Sequence, residues 1–513
     1  MNLDVLFINP GNSTAIYQGL ATDYAAIEPP TWALLLAQSM RSVGYQVGIL
    51  DVNAEQLSEE QAVEVVKQRA PRLACLVVYG QNPNSGTVNM SGAVKLASEM
   101  KKGNYSGAIC AVGSHISALP KRVLEEESSI DVVLCNEGVY ALKNLLAGDV
   151  RSETHLAKVK GIGYRDKGTV VLTAPEMVVP QERLELDLPG YAWDLLPFKD
   201  KPLDVYRAHF WHARYDHLSR SPFAAIYTSL GCTFKCDFCM INILNRNDND
   251  LVGIASNYAG MRFWSPDFML NQFDELADLG CTTIRISDEM FLLNKKYFVP
   301  LCEGLSKRPY SSDLNMWAYS RVDTVRDPSH LELIRRAGIR WLALGIESGE
   351  ASVRRAVTKG KFGDVDIKDV VKMIEAADID IIANYLFGLP TDDFQTMENT
   401  LQLGIDLCTT AWNGYPVMAL PGSELYKQAI DRGDMLPTSY EGYSFYGRET
   451  LPLSTENLSP AEVLKFRDEA FVSYHTAPRF RRKLIERCGP VAVSNIDQML
   501  KKELKRNIVD EAS

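Results

Sequence analysis

The stretch Gly231-Cys232-Thr233-Phe234-Lys235-Cys236-Asp237-Phe238-Cys239 decides how the rest of the chain is read. Its three cysteines are spaced C-x3-C-x2-C. The apolar run at 223–230 precedes it and has the length and composition of a buried strand. A loop leaving such a strand can bring three thiols onto one face of an inorganic cluster, and thiolates are the usual ligands of iron–sulfur clusters. Three ligands hold three irons of a four-iron cube and leave the fourth able to bind a substrate or cofactor. Zinc is the alternative, because cysteines at short spacing also suit a tetrahedral ion. His209, His212 and His217 lie just upstream as further candidate ligands. Zinc sites usually come as two separated pairs, however, and no second pair is present here.

Working outward, the totals set bounds. A chain of 513 residues accommodates two or three domains with a large core. With 54 basic and 65 acidic residues the net charge is -11, which argues against a nucleic-acid partner, since binding to a phosphate backbone is driven by Lys and Arg. The basic run at 479–483 reads as a solvated helix face. Ten cysteines, scattered apart from the triad, do not form a disulfide framework. The N-terminus enters an apolar strand directly, without the basic region or cleavage site of a signal peptide. No apolar run is long enough to span a bilayer. The expectation is a cytoplasmic protein in a reducing compartment.

Residues 1–150 alternate short apolar runs with amphipathic segments. The strand candidates are 5–8, 47–50, 73–78, 108–112 and 131–134. Five β-α units of this kind predict an α/β fold with a doubly wound (Rossmann-like) parallel sheet, whose ligands sit beyond the carboxyl ends of the strands. Those ends are Asn9-Pro10-Gly11-Asn12-Ser13, Tyr79-Gly80-Gln81-Asn82, Gly113-Ser114-His115 and Cys135-Asn136-Glu137-Gly138. The glycine fingerprint of a dinucleotide site is missing after the first strand.

Residues 151–220 read as an interdomain connection. They contain a hairpin at 161–172, a Pro- and Gly-bearing stretch at 188–197, and dense aromatics from Tyr206 to Tyr227. These aromatics pack between domains or, with His209 and His212, wall a substrate pocket.

Residues 221–425 alternate strands and helices again, with strand candidates at 283–287, 316–319, 341–346, 381–387 and 415–420. With the strand ahead of the cysteines these make six units, a partial (β/α)6 barrel with an open side. Polar residues at strand ends are the site candidates: Ser287-Asp288-Glu289, Ser320-Arg321, Glu347-Ser348-Gly349, Gly388-Leu389-Pro390 and Pro421-Gly422-Ser423. Each has a structural reading as well. Arg321 can pair with Asp323, Glu347 can cap a helix near Glu350, and Gly388 can simply turn the chain. Residues 426–513 turn helical, with Ser459-Pro460-Ala461-Glu462 as a cap, and are expected to cover the open side. Tyr440, Tyr443, Phe445 and Tyr446 ahead of them read as core or as pocket wall, with core preferred.

The cysteine motif, with Phe238 at the aromatic position before the last Cys, resembles that of the radical S-adenosylmethionine (SAM) enzymes. The first domain resembles the cobalamin-binding domains that precede many of them, on the strength of Asn9-Pro10, Pro29-Pro30, Gly113-Ser114-His115 and Glu137-Gly138. The resemblance implies a 4Fe-4S cluster on Cys232, Cys236 and Cys239. It places SAM on Asp288 and Glu289 (amino group), Ser320 and Arg321 (carboxylate), Glu347 (ribose and sulfonium) and Gly388 (adenine). It implies cobalamin on Asn9, Ser114, His115, Glu137 and Gly138. One departure is that no His precedes His115 and the D-x-H-x-x-G motif is absent, so cobalamin would lack a protein His on cobalt. A domain that has lost its ligand is the alternative.

The activity implied is C-methylation of an unactivated carbon in a small-molecule or peptide substrate, with an external one-electron reductant of flavodoxin or ferredoxin type. A cyclase, oxygenating or rearranging enzyme on the same scaffold is the runner-up. A non-enzymatic cobalamin- or metal-binding regulator is the third reading. No residue is singled out as the group that positions or deprotonates substrate.

Overall fold

The computed structural model describes residues 3–11, 16–80, 83–249, 254–358 and 365–511. Strands β1 (Val5–Asn9), β2 (Val47–Asp51), β3 (Leu73–Val78), β4 (Ala108–Gly113) and β5 (Val132–Leu134) lie parallel in the order β2-β1-β3-β4-β5. Their side chains alternate between two cores. Val5, Phe7, Cys75 and Val77 face one layer with the helix Thr31–Ser42, while Leu6, Ile8, Ala74 and Leu76 face the other with the helices Glu59–Arg69 and Gly86–Lys102. Burial on both faces is why these strands read as continuous apolar runs.

The hairpin at 161–172 forms as β6 (Ile162–Asp166) and β7 (Thr169–Leu172), and it continues this first sheet antiparallel beside β5. It thereby covers the edge that β5, only three residues long, would otherwise leave unpaired. The rest of the connecting segment is fastened to both sheets. Tyr206 donates its hydroxyl to Asp51 (3.0 Å), and Tyr191 is bonded through its hydroxyl to the Tyr227 backbone (2.8 and 2.9 Å).

The second sheet holds β8 (Ala224–Ile226), β11 (Thr283–Ile286), β12 (Asn315–Arg321), β13 (Ile339–Glu347), β14 (Asp380–Phe387) and β15 (Ala411–Pro416). All are parallel and in sequence order, with β8 and β15 unpaired to one another. This is the expected partial barrel, with two corrections. The apolar run at 223–230 is two strands. β8 ends at Ile226, and β9 (Ser229–Leu230) leaves the barrel to pair antiparallel with β10 (Arg262–Phe263). The sixth barrel strand runs 411–416, not 415–420. Asn413-Gly414 has the composition of a turn, yet Gly414 sits inside the strand, where an added Cβ would come within 2.3 Å of the Trp412 ring. Pro421-Gly422-Ser423 therefore does not end that strand; Ser423 caps the helix Glu424–Arg432 instead.

The expected Ser459 capping box starts the helix Pro460–Thr476. That helix lies along β15, with Arg467 donating to the Gly414 carbonyl (2.7 Å) and Tyr474 stacked on Trp412. Among the described residues no helix is long and apolar enough to cross a membrane.

Candidate active site between the two sheets

The carboxyl ends of both sheets open onto one cleft of about 1120 Å³ of empty space, open solvent included. Asn9 and Pro10 after β1, Asn53 after β2, and Tyr79 and Gly80 after β3 form one rim. Tyr227 after β8 and Ser287 after β11 belong to the other, and the loop bearing Glu28, Pro29 and Pro30 walls one side. Tyr443, Ser444, Phe445 and Tyr446 line the cleft as well, so these aromatics wall the pocket and are not simply core. Arg506 pins them: it donates to the carbonyls of Gly447 (2.8 Å) and Phe445 (3.0 Å) and pairs with Asp468. Asn12, Ser13, Gln81 and Asn82 of the predicted strand ends lie outside the described residues.

The cysteine loop leaves β9 through Gly231, whose φ of +86° is cheap only for glycine. Its fold is set by backbone bonds: Cys236 bridges to Thr358, Asp237 N–H donates to Val357 O (2.9 Å), and Leu425 N–H donates to Asp237 O (2.9 Å). The Phe234 N–H points at the Cys232 sulfur (3.4 Å). Burial pushes the Cys232 thiol up to about 11, the Cys236 thiol up to about 12 and the Cys239 thiol well above its ordinary value. A thiolate here needs a compensating metal charge. Among the described residues no three His, Cys, Asp or Glu side chains gather closely enough to hold a single ion. The upstream histidines are also committed elsewhere. His209 bonds Glu28 (2.7 Å), His212 bonds the Asn315 carbonyl at the bottom of the barrel (2.9 Å), and His217 stacks on Phe210. The loop thus fits a multi-iron cluster on three thiolates better than a zinc ion.

The barrel strand ends surround this loop unequally. Arg321 forks onto Asp323 (2.6 Å twice), lies 3.5 Å over the Phe234 ring and reaches the Cys236 sulfur at 3.7 Å. Its nearest anion is therefore Asp323, as the structural reading anticipated, and its place is over the cysteine loop. Glu289 and Glu347 are half-buried and hold no hydrogen bond among the described residues. Burial raises both carboxyls to about 7. Glu347 sits at φ +67° at a register shift in β13, a conformation disfavoured for a side chain of this size. It caps no helix; Ser348 accepts from Glu350 N–H instead (3.1 Å).

Two other side chains predicted to contact SAM, those of Asp288 and Ser320, turn elsewhere. Asp288 is buried, and its carboxylate accepts from Thr228 N–H (2.5 Å) and from the Thr228 and Ser229 hydroxyls (2.6 Å each). It holds the chain where β8 gives way to β9, with no oxygen left over for an amino group. Ser320 is bonded to Thr324 (2.7 Å). Gly388, at φ +86°, packs under Val463, where a Cβ would clash at 2.5 Å.

The first-sheet residues divide in the same way. Asn9 lines the cleft and is oriented by Asp51 (2.8 Å). Ser114, His115, Glu137 and Gly138 do not line it. Ser114 is fully buried against Gly86. His115 faces Thr87 (3.2 Å) and the edge of Tyr440, and burial lowers its pKa to about 3. Glu137 forms a buried ion pair with Arg262 of β10 (2.8 Å) and accepts from Val179 N–H (2.6 Å). Gly138 starts the helix Val139–Leu146 at φ +77°. Apart from Glu28, which is paired with Arg285, the polar residues of this domain that face the cleft are neutral: Asn9, Asn53, Asn84, Ser85 and Asn89. Amides and hydroxyls at strand ends fit a large neutral macrocycle fringed with amides, such as a corrin, and not an anionic nucleotide.

A group that sequence reasoning passed over lies beneath the cleft. Arg285, in the middle of β11, donates to Glu28 (2.5 Å) and to the Tyr319 hydroxyl (3.0 Å), and Glu28 holds His209. The signal was an arginine between two isoleucines in a strand buried on both sides.

Sequence models match this chain twice: that of the radical SAM superfamily over residues 226–404, and that of the B12 binding domain over residues 17–146. An uncharacterized methyltransferase of Pyrococcus horikoshii, PH0819, is 23% identical over 93% of each chain. The anaerobic magnesium-protoporphyrin IX monomethyl ester cyclase of Cereibacter sphaeroides is 23% identical over 86% of this chain and 66% of its own. The fold is similar to that of the radical S-adenosylmethionine methyltransferase TsrM of Kitasatospora setae, solved with tryptophan and a SAM analogue (TM-score 0.67, 14% identity, 97% of this chain and 99% of that one).

Proposed function

We propose, from the premise that this chain is a member of the radical SAM superfamily carrying a B12 binding domain, that it methylates an unactivated carbon of a small molecule held between its two sheets. The observation that carries this reading is that both sets of strand ends open onto one cleft. A reaction needing two cofactors at one carbon requires that juxtaposition.

When bound, the cluster with SAM supplies a hydrogen-abstracting radical and cobalamin supplies the methyl group; the protein's share is positioning and electrostatics. Cys232, Cys236 and Cys239 are the proposed cluster ligands. Arg321, stacked on Phe234 and touching Cys236, fixes the ligand loop. Glu289 is the proposed acceptor for the SAM ammonium, since its carboxyl beside Cys239 is uncommitted among the described residues, whereas that of the adjacent Asp288 is taken up by Thr228 and Ser229. Glu347 is assigned the ribose hydroxyls and the Gly388 backbone the adenine. Asn9, Asn53 and Asn89 would hold the periphery of the corrin. The roof at 443–446 keeps water from the reacting carbon. An external low-potential flavodoxin or ferredoxin is the proposed electron donor.

Cyclisation without methyl transfer is the second reading, favoured by the cyclase match at the same identity as the methyltransferase. The test is anaerobic incubation of reconstituted protein with methyl-labelled SAM, a reductant and small-molecule extract. Label moving into a new product supports methylation. Deoxyadenosine accumulating with no label transferred supports the second reading. Deoxyadenosine release that survives Cys236→Ala refutes both.

A further inference from the structure

The barrel interior below the cleft carries a charge that none of the proposed cofactor contacts uses. Arg285 is 1% exposed. It lies over the rings of Trp317 (4.9 Å) and Tyr319 (5.3 Å). One terminal nitrogen donates to Glu28, the other to the Tyr319 hydroxyl, and Nε has no partner among the described residues. Trp211 packs edge-on against Trp317 (5.1 Å) and Trp341 (5.2 Å), closing the floor. Glu28 lines the cleft, so the network runs from floor to wall.

The Tyr319 oxygen accepts from a guanidinium. Its own O–H proton is therefore left to donate, and the cation polarises it further. No acceptor for that proton is seen among the described residues, and the residue is only half-buried. We propose that Tyr319, held by Arg285 and Glu28, is the substrate-anchoring donor of this barrel, and that it takes a neutral oxygen, a carbonyl or ether, on a flat ring compound.

The neutral class follows from the charges. Glu28 already matches Arg285, with side-chain exposures of 8% and 1%. No Lys or Arg lines the cleft among the described residues, so nothing there offers a charge partner to an anion. The flat shape follows from the surrounding rings: Trp317 packs edge-on against Tyr319 (4.8 Å), and Tyr17 and Tyr227 line the cleft with Glu28. A ring between aromatic faces gains stacking as well as burial.

The inference rests on the proposed function only in placing substrate between the rims. The probes are 2-acetylnaphthalene and 2-naphthoate, the same ring system with a ketone or a carboxylate. Each is titrated by saturation-transfer NMR against protein loaded with cluster, cobalamin and SAM, without reductant. The expected result is that the ketone binds and the carboxylate binds at least about tenfold more weakly. Tyr319→Phe, which keeps the ring, should weaken the ketone by about three- to tenfold, the worth of one hydrogen bond, and leave SAM affinity unchanged. Absent ketone binding, equal binding of both probes, or a Tyr319→Phe variant that binds the ketone like wild type overturns the proposal. No turnover is involved, so methyl transfer can fail its own test while this site stands, and the reverse.

Discussion

The two rims that meet across the cleft treat charge in opposite ways. On the first sheet every ionisable side chain near the strand ends is matched inside the protein. Asp51 accepts from Asn9, Ala54 and Tyr206, Glu137 pairs with Arg262, and His115 faces Thr87. On the barrel, Glu289 and Glu347 face the cysteine loop with no hydrogen-bond partner among the described residues. A rim whose charges are already matched presents neutral amides and suits a neutral ligand. On the barrel rim, burial raises the two unpaired carboxyls to about 7, and this is the rim proposed to receive a cation and hydroxyls. The difference separates two kinds of polar residue that look alike in sequence: those that hold the scaffold and those that await a ligand.

That contrast can be broken at several points. The largest effect belongs to the loop between the rims. Cys236→Ala should abolish iron loading after anaerobic reconstitution and reduce deoxyadenosine formation to background, read by iron analysis and chromatography. Next is the buried pair on the first rim. Glu137→Ala leaves Arg262 buried and unpaired, and should cost about 3–5 kcal/mol in denaturant unfolding. If instead stability holds and only cobalamin retention falls, Glu137 is a ligand contact and the contrast fails.

On the barrel rim the expected pattern is reversed. Glu289→Gln should leave the unfolding midpoint near wild type while weakening equilibrium SAM binding by roughly tenfold or more, the worth of a charge-assisted hydrogen bond. Asp288→Asn should do the opposite, because its carboxylate holds the junction of β8 and β9.

The last effect is in pH dependence and is confined to the acid range. Burial lowers the His115 pKa to about 3 from an ordinary 6.5. Between those values only the unfolded chain binds the proton, so stability falls as pH drops below 6.5, by up to about 1.4 kcal/mol per pH unit. Asp51, raised to about 6 by burial, acts in the other direction. Its native form keeps a proton that the unfolded chain loses above 3.8, so its contribution is lost as pH rises through 6. His115→Gln should therefore flatten the acid limb of a stability–pH curve without changing cobalamin retention. A loss of cobalamin in that variant would return His115 to the ligand site.

Much of the fold was legible because both sheets are buried on two faces, which writes each strand as an apolar run between turn residues. The misplaced sixth strand shows the limit. Gly414 reads as a turn until the Trp412 ring that occupies its missing side chain is known. The run at 223–230 gives no hint of its break, because the cause is Asp288, some sixty residues further on.

The spacing of the three cysteines and the order of the two α/β units were legible in the sequence alone, since residue spacing and strand periodicity are local properties. Which acids are free and which are matched was decided only by tertiary structure. Glu137 meets Arg262 across 125 residues, and Glu28 meets Arg285 across 257. A carboxylate's role depends on whether a cation stands within reach, and in this chain that neighbour is brought by the packing of one domain on the other.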